Sequence, residues 1–112
     1  MSKDILNQEQ VHQLIIQHLK EIYDPEMPVN IYDLGLIYDI ILMPSKDKQF
    51  KCEITMTLTN VTCPVGETLY QQVTNIALFI EPLESIWVEL VFDPPWDMDK
   101  MSDEGKLELG YL

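Results

Sequence analysis

Residues 49 to 92 read as a strand, a helix and a strand in direct succession, and this constrains the fold more than any other feature. From Gln49 to Leu58 the chain alternates strictly. Phe50, Cys52, Ile54, Met56 and Leu58 fall on one side, and Lys51, Glu53, Thr55 and Thr57 on the other. From Val65 to Ile80 the apolar spacing becomes helical, with Val65, Leu69, Val73, Ile76 and Ile80 on one stripe and Pro82 at the end. From Ser85 to Phe92 the alternation returns, with Ile86, Val88, Leu90 and Phe92 opposite Trp87, Glu89 and Val91. A strand–helix–strand unit joins parallel strands by a right-handed crossover and lays its helix on one sheet face.

The remainder fits around that unit. Val11, Leu14, Ile15, Leu19 and Ile22 share a helical face, which predicts a helix from about Gln8 to Glu21. Asn7 is its expected N-cap, with Gln10 completing a capping box. Leu36 to Met43 reads as a strand, Pro44 to Lys48 as a turn, and the two strands so joined as an antiparallel hairpin. The expected order is α-β-β-α-β in one α/β domain of α+β two-layer type. A small three-stranded mixed sheet carries both helices on one face. The other face is semi-polar, open to the tail or to a partner. Of the tail, Ser102 suits a short helix cap, and Gly105 is expected to limit that helix.

Charge narrows the function. Nineteen acidic residues face seven lysines and no arginine, for a formal charge of −12. Nucleic acid and anionic membranes need clustered basic groups, so both are excluded as partners. An acidic surface suits solubility or a basic partner. The N-terminal MSKDILNQEQ has no apolar signal core, and two cysteines make no disulfide framework, so a reducing, cytoplasmic setting is expected.

Those two cysteines differ. Cys52 points with Phe50 and Ile54 toward the core, as a small hydrophobe. Cys63 stands between strand and helix in LTNVTCPVGE. Pro64 suits the first helical position, which makes Cys63 the N-cap. There the positive end of the helix favours thiolate over thiol. The alternative is an ordinary loop cysteine. His12 and His18 are six residues apart and make a poor ligand pair, and no phosphate loop or CxxC is present. Carboxylates crowd the first loop (Asp24, Glu26, Asp33) and the tail (Asp93, Asp97, Asp99, Asp103, Glu104), without calcium-loop spacing. Trp96, between prolines and acids, either anchors an interface or pins the tail.

Three segments together resemble the SufT family of bacterial iron–sulfur protein maturation factors. They are DPEMPVNIYDLGLIYDI at 24 to 40, MTLTNVTCP at 56 to 64 and VFDPPWDMDKMSDEGKLELGYL at 91 to 112. The resemblance covers residues 8 to 112. The same domain occurs in PaaD, in the eukaryotic cytosolic iron–sulfur targeting complex and in some Mrp-type ATPases. The extra cysteines of PaaD and the ATPase's P-loop domain are not found here. The resemblance implies a fold like the NifU C-terminal domain and a functional thiol at Cys63, with Pro64 and Thr62 beside it. It also implies a supporting loop of Asp24, Pro25 and Glu26. It implies a non-enzymatic factor whose cargo is a transient iron–sulfur cluster or iron, with Cys63 as one ligand of a shared, labile cluster. Its partners would be scaffold or carrier proteins and client apoproteins, and the free sheet edges admit a homodimer. Two other readings stand beside this one. One is a docking adapter with a structural Cys63. The other is a thiol enzyme, for which the sequence offers no base.

Overall fold

The computed structural model describes residues 7–24, 29–46, 49–59 and 65–110, with backbone alone for Val65 and Gly66. The first helix, α1 (Gln8–Leu19), opens on the expected capping box. The Gln10 amide donates to Asn7 Oδ1 at 2.8 Å, and the Asn7 amide to Gln10 Oε1 at 2.9 Å. Two of the amides orphaned at a helix start are thereby satisfied. The helix stops at Leu19 rather than Glu21, because the Glu21 amide turns back to the His18 carbonyl. Its buried stripe is Val11, Ile15 and Leu19.

Strands β1 (Ile37–Pro44), β2 (Phe50–Met56) and β3 (Leu83–Leu90) form one sheet in that order. The β1–β2 pair is antiparallel and the β2–β3 pair parallel, as a hairpin followed by a crossover requires. Strand β3 begins two residues before the expected Ser85. Leu83 is buried and pairs with Phe50, and the Phe50 amide donates to the Pro82 carbonyl at 2.8 Å.

Helix α2 (Val65–Thr74) gives way to a 3₁₀ segment, Asn75–Phe79, where an uninterrupted helix was expected. Asn75 is a weak helix former. The tighter turn keeps Ile76 and Ile80 buried while Leu78 and Phe79 face outward.

Leu42, Cys52, Ile54, Met56, Ile86 and Val88 form one buried cluster with Val11, Ile15, Leu19, Leu69 and Val73. That cluster is the interface between sheet and helices. Burial of each such side chain contributes about 1.5–3 kcal/mol before conformational entropy is set against it.

The opposite face carries Asp39, Ile41, Met43, Lys51, Glu53, Ser85, Trp87 and Glu89, all exposed, and half-buried Thr55. The tail does not cover these positions. After a short 3₁₀ turn (Met98–Lys100) and helix α3 (Asp103–Glu108), it packs instead on the loop before β1. Ser102 caps α3 by accepting from the Gly105 amide at 3.1 Å. Gly105 lies inside the helix rather than ending it, with the Asp33 carbonyl 2.9 Å from where a Cβ would stand. The glycine therefore serves a close approach of helix to loop.

Candidate functional site

The first loop is closed at its base before it reaches the residues of interest. Tyr23 and Asn30 form an isolated antiparallel bridge, and the Ile31 amide donates to the Ile22 carbonyl at 2.8 Å. Val29, Ile31 and Leu34 are the buried anchors expected of it. Asp33 organises its second half. Its carboxylate accepts from Asn30 Nδ2 at 2.8 Å and from Ser102 Oγ at 2.9 Å, and its carbonyl accepts from the Ser102 amide at 2.8 Å. This carboxylate is a structural clamp between loop and tail.

Trp96 belongs to the same clamp. Its indole is half-buried against the core, and Nε1 donates to the Leu34 carbonyl at 2.6 Å. Of the two roles open to it, the structure shows the pinning of the tail. Gly35 completes the arrangement at φ +83°. A side chain at that position would overlap the Lys100 carbonyl.

Asp24 is the described member of the acidic triplet Asp24, Pro25 and Glu26. Its carboxylate is buried at 4% exposure, and Thr59 Oγ1 donates to Asp24 Oδ2 at 3.2 Å. Thr59 lies just past the end of β2, four positions before Cys63. One hydrogen bond therefore ties the base of the first loop to the strand end that leads into the Cys-Pro segment. Pro25, Glu26, Thr62, Cys63 and Pro64 lie outside the described residues. Helix α2 begins at Val65, directly after Pro64.

Cys52 has no such setting. It is buried, and desolvation, with the Glu53 carboxylate adding to it, pushes its thiol up to about 12. It is an inert core residue. Thr57 is buried too, and its hydroxyl has no hydrogen-bond partner among the described residues. Among the described residues no three His, Cys, Asp or Glu side chains gather in a metal-binding group. His18 stacks on Phe79 at 5.9 Å between centroids, and His12 borders a shallow cleft with Tyr32 and Tyr38. Asp97 caps the 3₁₀ turn by accepting from the Asp99 amide at 2.9 Å. Sequence reasoning missed Thr59. The only signal was a hydroxyl just beyond an alternating strand, which also describes any strand end.

Residues 12–89 match the model of a family described as iron–sulfur cluster assembly protein. The chain belongs to this family. Within it, the chain is of the SufT type. It is 35% identical over 89 residues to the SufT Fe-S protein maturation auxiliary factor of Staphylococcus aureus, covering 80% of this chain and 97% of that one. It is 37% identical over 103 residues to an Fe-S protein maturation auxiliary factor of Porphyromonas gingivalis, covering 92% and 94%. A crystal structure of a domain of unknown function from Bacillus anthracis superposes with a TM-score of 0.74 at 30% identity, covering 90% and 92%. The mixed three-stranded sheet with its helices is the architecture of this family. No helix among the described residues is long and apolar enough to cross a membrane.

Proposed function

We propose that this protein is an auxiliary factor in iron–sulfur cluster assembly, and that it hands a cluster, or iron, to client apoproteins through the Cys63 thiolate. The names of its relatives support the broad role. The hydrogen bond from Thr59 to Asp24 supports the location, because it joins the two segments that the family motif places far apart in sequence.

The chemistry follows from counting thiols. Cys52 is sealed in the core, which leaves Cys63 as the one reactive sulfur per chain. A cluster held by four thiolates then takes its other ligands from a second molecule, either a donor or the client. Such a cargo is labile, as a hand-over requires. Transfer is ligand exchange. A client thiolate displaces Cys63 Sγ from iron, the released thiolate takes up a proton, and no electron moves. No catalytic group is needed, and the protein acts without turnover of its own.

Anaerobic reconstitution with iron and sulfide tests this reading. The wild-type protein should retain iron after desalting, and Cys63→Ser should lose it. Equal and negligible retention by both would refute direct carriage. The alternative, an adapter that docks clients to the assembly machinery with a structural Cys63, predicts a complex with a scaffold protein that survives Cys63→Ser.

A further inference from the structure

The open face of the sheet has a composition that neither the thiol site nor the tail accounts for. Its nine positions form a grid in register. Ile41, Glu53 and Trp87 make the central row, Asp39, Thr55 and Glu89 the row on one side, and Met43, Lys51 and Ser85 the row on the other. Trp87 on β3 is 67% exposed, and Ile41 and Met43, across β2 on β1, are 43% and 37% exposed. Among the described residues no ion pair or hydrogen bond engages the carboxylates of Asp39, Glu53 or Glu89. A sheet face meant only for solvent has no use for an indole this exposed on its edge strand β3.

We propose that this face docks a short, arginine-bearing basic segment of a partner protein. Glu53 is the direct cross-strand neighbour of Trp87, and Glu89 follows two residues along the same strand face. Strand spacing puts these neighbours about 5–7 Å apart. A guanidinium stacked on the indole is thus within reach of a carboxylate on either side. Stacking and paired hydrogen bonding both favour Arg over Lys in such a place. Ile41 and Met43 take the apolar side chains of the same segment.

Charge and size exclude a second copy of this chain. The chain contains no arginine and carries a charge of −12. Two copies face to face would set six carboxylates against two Lys51 ammonium groups. Three strands by five residues cover roughly 14 by 17 Å. That is well below the roughly 800 Å² per partner of a stable globular interface. A peptide-sized segment fits, and a dimer does not. The proposal concerns the face opposite the helices and stands whether or not Cys63 carries a cluster.

The test uses the full chain and a synthetic octapeptide of alternating arginine and valine, with a citrulline–valine peptide as the neutral isostere. Binding is followed by backbone amide shifts and by isothermal titration at 0.1 M salt. The arginine peptide should shift amides of all three strands, and citrulline should abolish binding. Trp87→Ala and Glu53→Gln/Glu89→Gln should each weaken it at least tenfold. The control Glu104→Gln/Glu108→Gln removes as much charge from the tail and should change affinity less than twofold. Equal weakening by both charge pairs would reduce the effect to net charge and overturn the proposal. So would shifts confined to the tail, or no binding at all. A wild-type dimer that Trp87→Ala converts to monomer would show self-association instead, and would also overturn it.

Discussion

Replacing Gly35 by alanine should dismantle the clamp between the first loop and the tail. Gly35 sits at φ +83°, where an L side chain costs about 1–2 kcal/mol by itself. Its new Cβ would overlap the Lys100 carbonyl, a backbone group that no rotamer change can move aside. The tail must retreat. The bonds in its path are Trp96 Nε1 to the Leu34 carbonyl, the Ser102 amide to the Asp33 carbonyl, and Ser102 Oγ to the Asp33 carboxylate. Losing two of the three adds about 2 kcal/mol. The total is about 3–4 kcal/mol, a large share of the roughly 5–15 kcal/mol of a small domain. Urea unfolding measures it, and Gly110→Ala is the matched control. Gly110 has φ +84° but nothing within 4 Å of its Cβ position, so it reports the backbone cost alone. If the two substitutions agree within about 0.5 kcal/mol, the scatter normal between independent sites, the close-approach argument is wrong.

Three further outcomes follow from the structure. Thr59→Val keeps shape but removes the bond to Asp24; it should impair iron retention severalfold while lowering stability by about 1–3 kcal/mol, read by reconstitution and urea melts side by side. Thr57→Val replaces a buried, unpartnered hydroxyl and should stabilise by about 1 kcal/mol; a loss of similar size would mean the hydroxyl has a partner in solution. The Cys52 thiol is raised to about 12 from 9.0, so the folded state holds its proton where the unfolded chain has released it. That contribution is complete below pH 9 and is lost as pH rises toward 12, at up to about 1.4 kcal/mol per unit, a slope that Cys52→Val should remove in pH-dependent melts.

The core and the site differ in how far the sequence discloses them, for physical reasons. Period-two alternation made β2 readable from Phe50 to Met56, but the strand stops short of the expected Leu58, and Thr57, expected on the outward face, is buried where the chain leaves the sheet. Cys52, Ile54 and Met56 are buried while Lys51 and Glu53 are exposed, because a strand half-buried against helices has no other pattern. The Asn7–Gln10 box was equally legible, since it involves neighbours three apart. The parallel pairing of β2 with β3 followed from the helix between them. Long-range side-chain bonds leave no such trace. Thr59 and Asp24 are 35 positions apart, Trp96 and Leu34 are 62, and neither pair has a periodicity to betray it. Gly105 misled because a glycine that permits close packing looks like one that ends a helix. At the site itself, Cys63 drew attention through its place before a proline. The structure describes the bond between Asp24 and Thr59, and the thiol lies outside the described residues.

The central claim is that Cys63 acts in cluster delivery. The most direct measurement is made in cells lacking the gene, complemented with wild type or with Cys63→Ala. The readout is the activity of a cluster-dependent dehydratase such as aconitase, normalised to its protein level. The account predicts that activity falls at constant protein level and that only wild type restores it. Full restoration by Cys63→Ala would contradict it and leave the protein an adapter.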